Sequence, residues 1–154
     1  MDITADLASR STAELAATLT TAGLELRMPD AEAFAERTRV LPFVHGRTRI
    51  PVDIVLAGPG LEELFFSRVR ERRIGDLRVP VASAEDVVTM KVLAGRPKDL
   101  EDVVAIARAH GGDLDVEHVR ETLRTLEKAL DRDDLVLALE RALTHASGGP
   151  SSRS

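Results

Sequence analysis

The sequence contains no cysteine, tryptophan or tyrosine, and its aromatic residues are four phenylalanines. The missing thiols exclude disulfides, thiol nucleophiles and cysteine-type zinc sites, and they fit a reducing compartment. So few aromatics exclude a base-stacking platform of the kind that grips single-stranded nucleic acid. No apolar run approaches the roughly 20 residues of a membrane span, and the opening MDITADLASR lacks the basic-then-apolar order of a signal peptide. No membrane association is expected, and the chain reads as cytoplasmic. A formal charge of −5 argues against a broad electrostatic grip on nucleic acid, while leaving room for a local basic stripe to meet an RNA end. His45, His110, His118 and His145 stand at no metal-ligand spacing, and His110 before Gly111-Gly112 reads as a favourable cation at a helix C-terminus. Gly58-Pro59-Gly60 lacks the Lys and Ser or Thr of a phosphate loop and reads as a turn.

What is present is an alternation of strand-like and helix-like patterns over 154 residues, enough for one domain with a core of its own. The expected fold class is α/β (α+β), a short mixed sheet with flanking helices and a C-terminal helical bundle. The expected extent is a single domain over 1–146, with a sheet part at 1–81, a helical part at 82–146 and a disordered tail at 147–154. Ser11-Thr-Ala-Glu14 matches a capping box, followed by Leu15, Leu19 and Ala22 at helical spacing until Gly23 stops the helix. A short strand over 24–27 and a helix from Asp30 through Thr38 follow. Residues 40–45 and 49–56 read as two strands of a hairpin turned at Gly46 and Arg47. The pattern is helical over 61–70 and extended over 72–81, up to Pro80 and a new cap at Ser83. Four helices then fit 83–93, 97–110, 116 to about 130 and 133 to about 144. The stripes Val116, Val119, Leu123, Leu126, Leu130 and Leu135, Leu139, Leu143 read as the apolar faces of a small bundle, with dimerisation through them left open.

Two places break local rules. Alternation sets Ile50, Val52, Ile54 and Leu56 on one strand face and Arg49, Pro51, Asp53 and Val55 on the other, so Asp53 looks away from the aliphatic side. A mid-strand carboxylate reaches water as an ordinary surface acid, pairs with a base such as a neighbour of Arg49, or holds a metal. The second place is 91–102, KVLAGRPKDLED. Pro97 suits the first turn of a helix, and Asp99 falls in that turn, where the helix dipole favours an acid. Asp102 shares a face with Asp99, Arg96 stands just outside the same end, and Lys91 lies in the last turn of the preceding helix. The four charges form either a corner salt-bridge network or a site in which cations hold a triphosphate and acids serve a metal or a proton.

The order Asp2-Ile-Thr, Ile-Pro-Val-Asp53, Lys91-x-x-Ala94 and Arg96-x-x-Asp99-x-x-Asp102 resembles the nucleotidyltransferase superfamily that includes DNA polymerase beta. Within it, the pattern is most similar to the AbiEii/AbiGii toxin-like nucleotidyltransferases, over roughly residues 1–109. In that family a Gly-Ser loop precedes a strand with an Asp-x-Asp pair, a later strand gives a third acid, and helical motifs supply a lysine and an Arg-x-x-Asp-x-x-Asp. The resemblance implies Asp2 and Asp53 as metal-binding catalytic carboxylates and Lys91 as a phosphate contact. It also implies Arg96, Asp99 and Asp102 as residues of the nucleotide site, with Asp99 a candidate base.

Asp2 matches the second acid of the Asp-x-Asp pair, whereas the first acid and the Gly-Ser loop have no counterpart in this sequence. A start assigned too late, a remnant that keeps the fold, and a variant completed by another chain are the three explanations. The first is preferred, because the helical half shows no decay. The implied reaction is Mg²⁺-dependent transfer of a nucleoside monophosphate from an NTP to an acceptor hydroxyl. By the toxin likeness that acceptor is an RNA or tRNA end, with a cognate antitoxin protein as partner. The alternatives are a non-catalytic remnant that binds protein through an exposed sheet edge, and a small-molecule nucleotidyltransferase of the antibiotic-modifying kind.

Overall fold

The computed structural model describes residues 1–58 and 60–148, and the chain divides into two compact units, Met1–Leu64 and Phe65–Ser154. The expected turn at Gly58-Pro59-Gly60 includes Pro59, and of the tail expected over 147–154 Ser147 is still helical and Gly148 caps that helix; Pro59 and 149–154 are outside the described residues.

The first unit contains β1 (Asp2–Ala5), α1 (Thr12–Thr21), β2 (Leu24–Leu26), α2 (Ala31–Thr38), β3 (Val40–His45) and β4 (Pro51–Leu56). The strands form one sheet in the order β1-β4-β3-β2, with β1 parallel to β4 and the other pairs antiparallel, the mixed sheet expected. Period-2 alternation in β4 buries Val52, Ile54 and Leu56, which join Leu41 and Phe43 of β3 in a core closed by Ala16 of α1 and Ala31 and Ala35 of α2. Ile50 departs from its expected place in that stripe and is exposed, because the hairpin loop runs through Arg49 before the ladder begins at Pro51. Within that loop Arg49 takes a left-handed φ of 58° and its N–H donates to His45 O at 2.8 Å. At Gly46 an added Cβ would lie 3.0 Å from Glu25 Oε1 and 3.1 Å from Gly23 O, so the turn needs glycine for room. The capping box at α1 is complete, with Ser11 Oγ accepting from Glu14 N–H and the Glu14 carboxylate accepting from Ser11 N–H.

Pro42 sits inside β3, a position that normally costs a ladder bond. Its carbonyl accepts from Arg27 N–H at 3.0 Å, and in a strand the N–H and C=O of one residue point to the same side. The missing donor therefore faces the end of β2, where the ladder stops at Leu26 and the chain leaves with Arg27.

The second unit begins at the C-terminal end of α3 (Leu61–Phe66) and continues through β5 (Arg70–Ile74), β6 (Leu77–Val81), α4 (Ala84–Ala94), α5 (Pro97–His110), α6 (Val116–Leu130) and α7 (Leu135–Ser147). The extended segment expected over 72–81 is a two-stranded hairpin turned at Gly75 and Asp76, and α3 stops well short of Arg70 because that residue starts β5. The four C-terminal helices stand where expected, separated by the left-handed Gly95, by Gly111–Asp113 and by the left-handed Asp131. Val88 and Val92 of α4, Val103 of α5, Val119 and Leu123 of α6, and Leu135 and Leu139 of α7 make the bundle core. Leu130 was expected in the stripe and is exposed at the C-terminal end of α6. Among the described residues no helix is long and apolar enough to cross a membrane.

Leu139 is fully buried and Leu137, two residues away on the same helix, is 52% exposed. Leu139→Ala is expected to cost about 2–5 kcal/mol in urea unfolding, and Leu137→Ala under about 0.5 kcal/mol.

Candidate functional site

In the first unit, the parallel register of β1 and β4 sets Asp2 opposite Asp53 and Ile3 opposite Ile54. Partners in a parallel pair project to the same side from strands about 4.8 Å apart, so the two carboxylates are neighbours on the sheet face away from the core. Asp2 is exposed and Asp53 half-buried. The Arg27 guanidinium, delivered by the end of β2, donates to Asp53 Oδ1. The partner expected near Arg49 is thus Arg27 instead, because the left-handed turn at Arg49 sends its own side chain to Glu25, 2.7 Å away. Asp53 also lines an open cleft of about 330 Å³ with Arg27, Met28, Phe34, Val40 and Pro42.

In the second unit the corner between α4 and α5 is assembled from local signals. Gly95 ends α4 in the left-handed region (φ 64°), and its N–H donates to Lys91 O at 3.0 Å. Arg96 is held extended before Pro97 at the first helical position, and Asp99 falls in the first turn of α5 with its side chain buried. Around that carboxylate the charges close into one network. Arg96 Nε lies 2.5 Å from Asp99 Oδ2 and Arg96 Nη2 3.1 Å from Oδ1. Lys91 Nζ lies 3.4 Å from Asp99 Oδ1 and 2.6 Å from Asp102 Oδ2. The Arg96 hydrogen bonds hold the Asp99 carboxyl below its ordinary value, against the opposing effect of burial, and the bond to Asp102 raises the Lys91 ammonium above its own. The Arg96 side chain is 77% exposed, so one face of this cation remains open to water.

The six residues singled out from sequence therefore fall into two sets: Asp2 with Asp53 in the first unit, and Lys91, Arg96, Asp99 and Asp102 in the second. Sequence reasoning missed Arg27, which has no local pattern, and a second buried carboxylate, Asp86. Asp86 follows the Ser83 cap and reads from sequence as a first-turn acid, but its side chain is buried against Arg68, whose Nη2 donates to Asp86 Oδ1. Arg68 Nη1 lies 2.8 Å from His118 Nε2. Arginine only donates, so Nε2 is the acceptor in this contact. Arg68 Nε and Asp86 Oδ2 are buried without partners among the described residues, so a small rotation would complete a bidentate pair.

A model of the nucleotidyl transferase AbiEii toxin family, of the type IV toxin–antitoxin systems, matches residues 3–148. The chain belongs to this family. No curated protein is similar enough to count as a match. The AbiEii-family nucleotidyltransferases generally use a divalent metal. Among the described residues of this AbiEii-family chain no group of three or more His, Asp or Glu side chains could hold a metal ion. The two neighbouring carboxylates, Asp2 and Asp53, are oxygen donors of the kind a hard divalent ion takes, and Arg27 donates to one of them.

The shifts fix the pH behaviour of the corner. A carboxyl whose folded pKa is depressed stabilises the fold above its ordinary value and loses that contribution as pH falls through the folded pKa. A lysine whose folded pKa is raised stabilises below its ordinary value and loses its contribution as pH climbs through the folded pKa. The stability gap between the wild-type chain and Asp99→Asn is therefore expected to be widest near neutral pH and to narrow under acid, measured by urea unfolding across a pH series.

Proposed function

We propose that this chain transfers a nucleoside monophosphate from an NTP to an acceptor hydroxyl on RNA, with a tRNA end as the favoured acceptor, in a Mg²⁺-dependent reaction restrained in the cytoplasm by a cognate antitoxin. Within a family of nucleotidyltransferase toxins, the observation that carries this reading is the in-register pairing of Asp2 with Asp53 on adjacent parallel strands. These two side chains would hold the ion, which when bound supplies Lewis-acid polarisation of the reacting phosphate and neutralises its developing charge. Lys91 is a compact point charge suited to phosphate oxygens, and Arg96, which donates to Asp99 and is 77% exposed, adds a guanidinium, a group suited to phosphate.

Asp99 and Asp102 orient those cations. Held ionised by Arg96 and Lys91, Asp99 is a weak proton acceptor, so its role in this proposal is to position the two cations rather than to act as base. One observation favours a second reading. β1 lies at the edge of its sheet with Asp2, Ile3 and Thr4 exposed, a row of backbone groups that a strand from another protein could extend, as a non-catalytic binding module would require.

Transfer of label from α-phosphate-labelled NTPs to total tRNA in the presence of Mg²⁺ separates the two readings. The catalytic reading expects labelling that EDTA abolishes and that Asp53→Ala lowers by at least about 100-fold, the scale of losing one transition-state electrostatic contact. Labelling that survives Asp53→Ala would remove Asp53 from the chemistry. No labelling by the wild-type chain would favour the binding module.

A further inference from the structure

The hairpin β5–β6 is the part of the second unit that its core does not explain. Every residue of β5 is exposed, and β6 is exposed except for a half-buried Val79. Its twelve residues, 70–81, carry four arginines against two acids, in a chain whose formal charge is −5. At its tip Ile74 and Leu77 face each other 62% and 68% exposed. An isolated two-stranded ribbon is marginal in water, so a segment this exposed and this charged needs a reason beyond its own stability.

The cross-strand register says where the charge goes. Arg70 is opposite Val81, Arg72 opposite Val79 and Ile74 opposite Leu77, so one face of the ribbon carries two arginines over an aliphatic strip. On the other face Arg73 stands directly opposite Arg78. Like charges directly opposed across a ladder destabilise it, and here they are only partly relieved. Arg73 Nε donates to Gly75 O at 3.1 Å, and Arg78 reaches Glu71 at 3.5 Å with both side chains largely exposed. Arg72 has no hydrogen-bond or ion-pair partner among the described residues. A local choice that works against the strand pair is expected where a ligand supplies the missing counter-charge. Cations on both faces of an extended ribbon suit a linear polyanion, and guanidinium forks suit phosphate.

We propose that the β5–β6 hairpin docks the phosphate backbone of an RNA strand through Arg70, Arg72, Arg73 and Arg78. This rests on the reading of RNA as the acceptor and gives that reading a surface. The lack of aromatic side chains on the ribbon makes the contact one of charge, tolerant of sequence and steeply dependent on salt.

Binding of fluorescent bulk tRNA to the full chain, followed by anisotropy without NTP across a salt series, reads this contact independently of catalysis. The triple variant Arg70→Gln, Arg72→Gln, Arg73→Gln is expected to bind at least about tenfold more weakly at fixed salt, with a log–log salt slope shallower by about 2 to 3. A control with the same loss of charge on α6 and α7, Arg124→Gln, Lys128→Gln, Arg141→Gln, is expected to stay close to wild type. Arg72→Gln alone removes no side-chain hydrogen bond or ion pair among the described residues, so an unchanged urea-unfolding midpoint is expected beside its slope change of about 1. Equal losses in triple variant and control, wild-type binding by the triple variant, or no tRNA binding by the wild-type chain would each overturn the proposal. So would a hairpin that takes up an acidic protein while RNA binding is unchanged. RNA binding that depends on the hairpin without any nucleotidyl transfer would retain this surface and remove the catalytic reading instead.

Discussion

Asp99 is the constraint on which the α4–α5 corner depends. A carboxylate buried in the first turn of a helix is tolerable only while partners compensate its lost hydration, and here the compensation comes from Arg96 and Lys91. That requirement fixes the corner on both sides. Gly95 must turn left-handed so that α4 stops at Lys91's last turn, and Pro97 must hold Arg96 extended so that its guanidinium folds back over the helix start. Asp102, one turn on, then draws the ammonium of Lys91 to 2.6 Å. The result is two cations held in place by acids beneath them, with the outer face of Arg96 in water. Preorganised charge of this kind is worth more to a polyphosphate than the same side chains on a mobile loop, because their ordering is already complete.

A parallel logic operates in the sheet. Alternation in β4 commits Val52, Ile54 and Leu56 to the core and thereby commits Asp53 to the other face. Parallel pairing with β1 then brings Asp2 beside it, a juxtaposition that like charges resist unless a cation accompanies them. Arg27 is such a cation, and it arrives because β2 is short and ends opposite a proline that has no N–H to offer. The pairing is half-exposed and adds little to stability; its interest lies in placing Asp53 and Arg27 together in the lining of one cleft.

Most of this was legible in the sequence, for reasons that can be named. The capping box at Ser11, the Gly95 and Gly111-Gly112 stops and the stripes of α6 and α7 are local signals, and the helices they predict stand where expected. The corner charges were legible because three- and four-residue spacing places side chains on one helix face without reference to the rest of the fold. The hairpin β5–β6 was overlooked although Gly75-Asp76 between two five-residue runs is a two-residue turn signal, because arginines outnumber apolar residues in its first strand and mask the alternation. Arg27 was out of reach: its partnership with Asp53 is set by strand register, which one sequence does not specify. The same holds for Asp86 and Arg68, whose pairing depends on burial between elements rather than on spacing.

On this account the corner cations serve a nucleotide and are more than a salt bridge. Titrating each of the four NTPs with Mg²⁺ into the wild-type chain and into Asp102→Lys, with urea unfolding of both, tests it most directly. Asp102 is half-exposed, so charge reversal there is expected to weaken nucleotide affinity by about tenfold or more while leaving a cooperative fold. Unfolding of the variant, or nucleotide affinity equal to that of the wild-type chain, would mean that Lys91, Arg96, Asp99 and Asp102 hold the corner together and do nothing further.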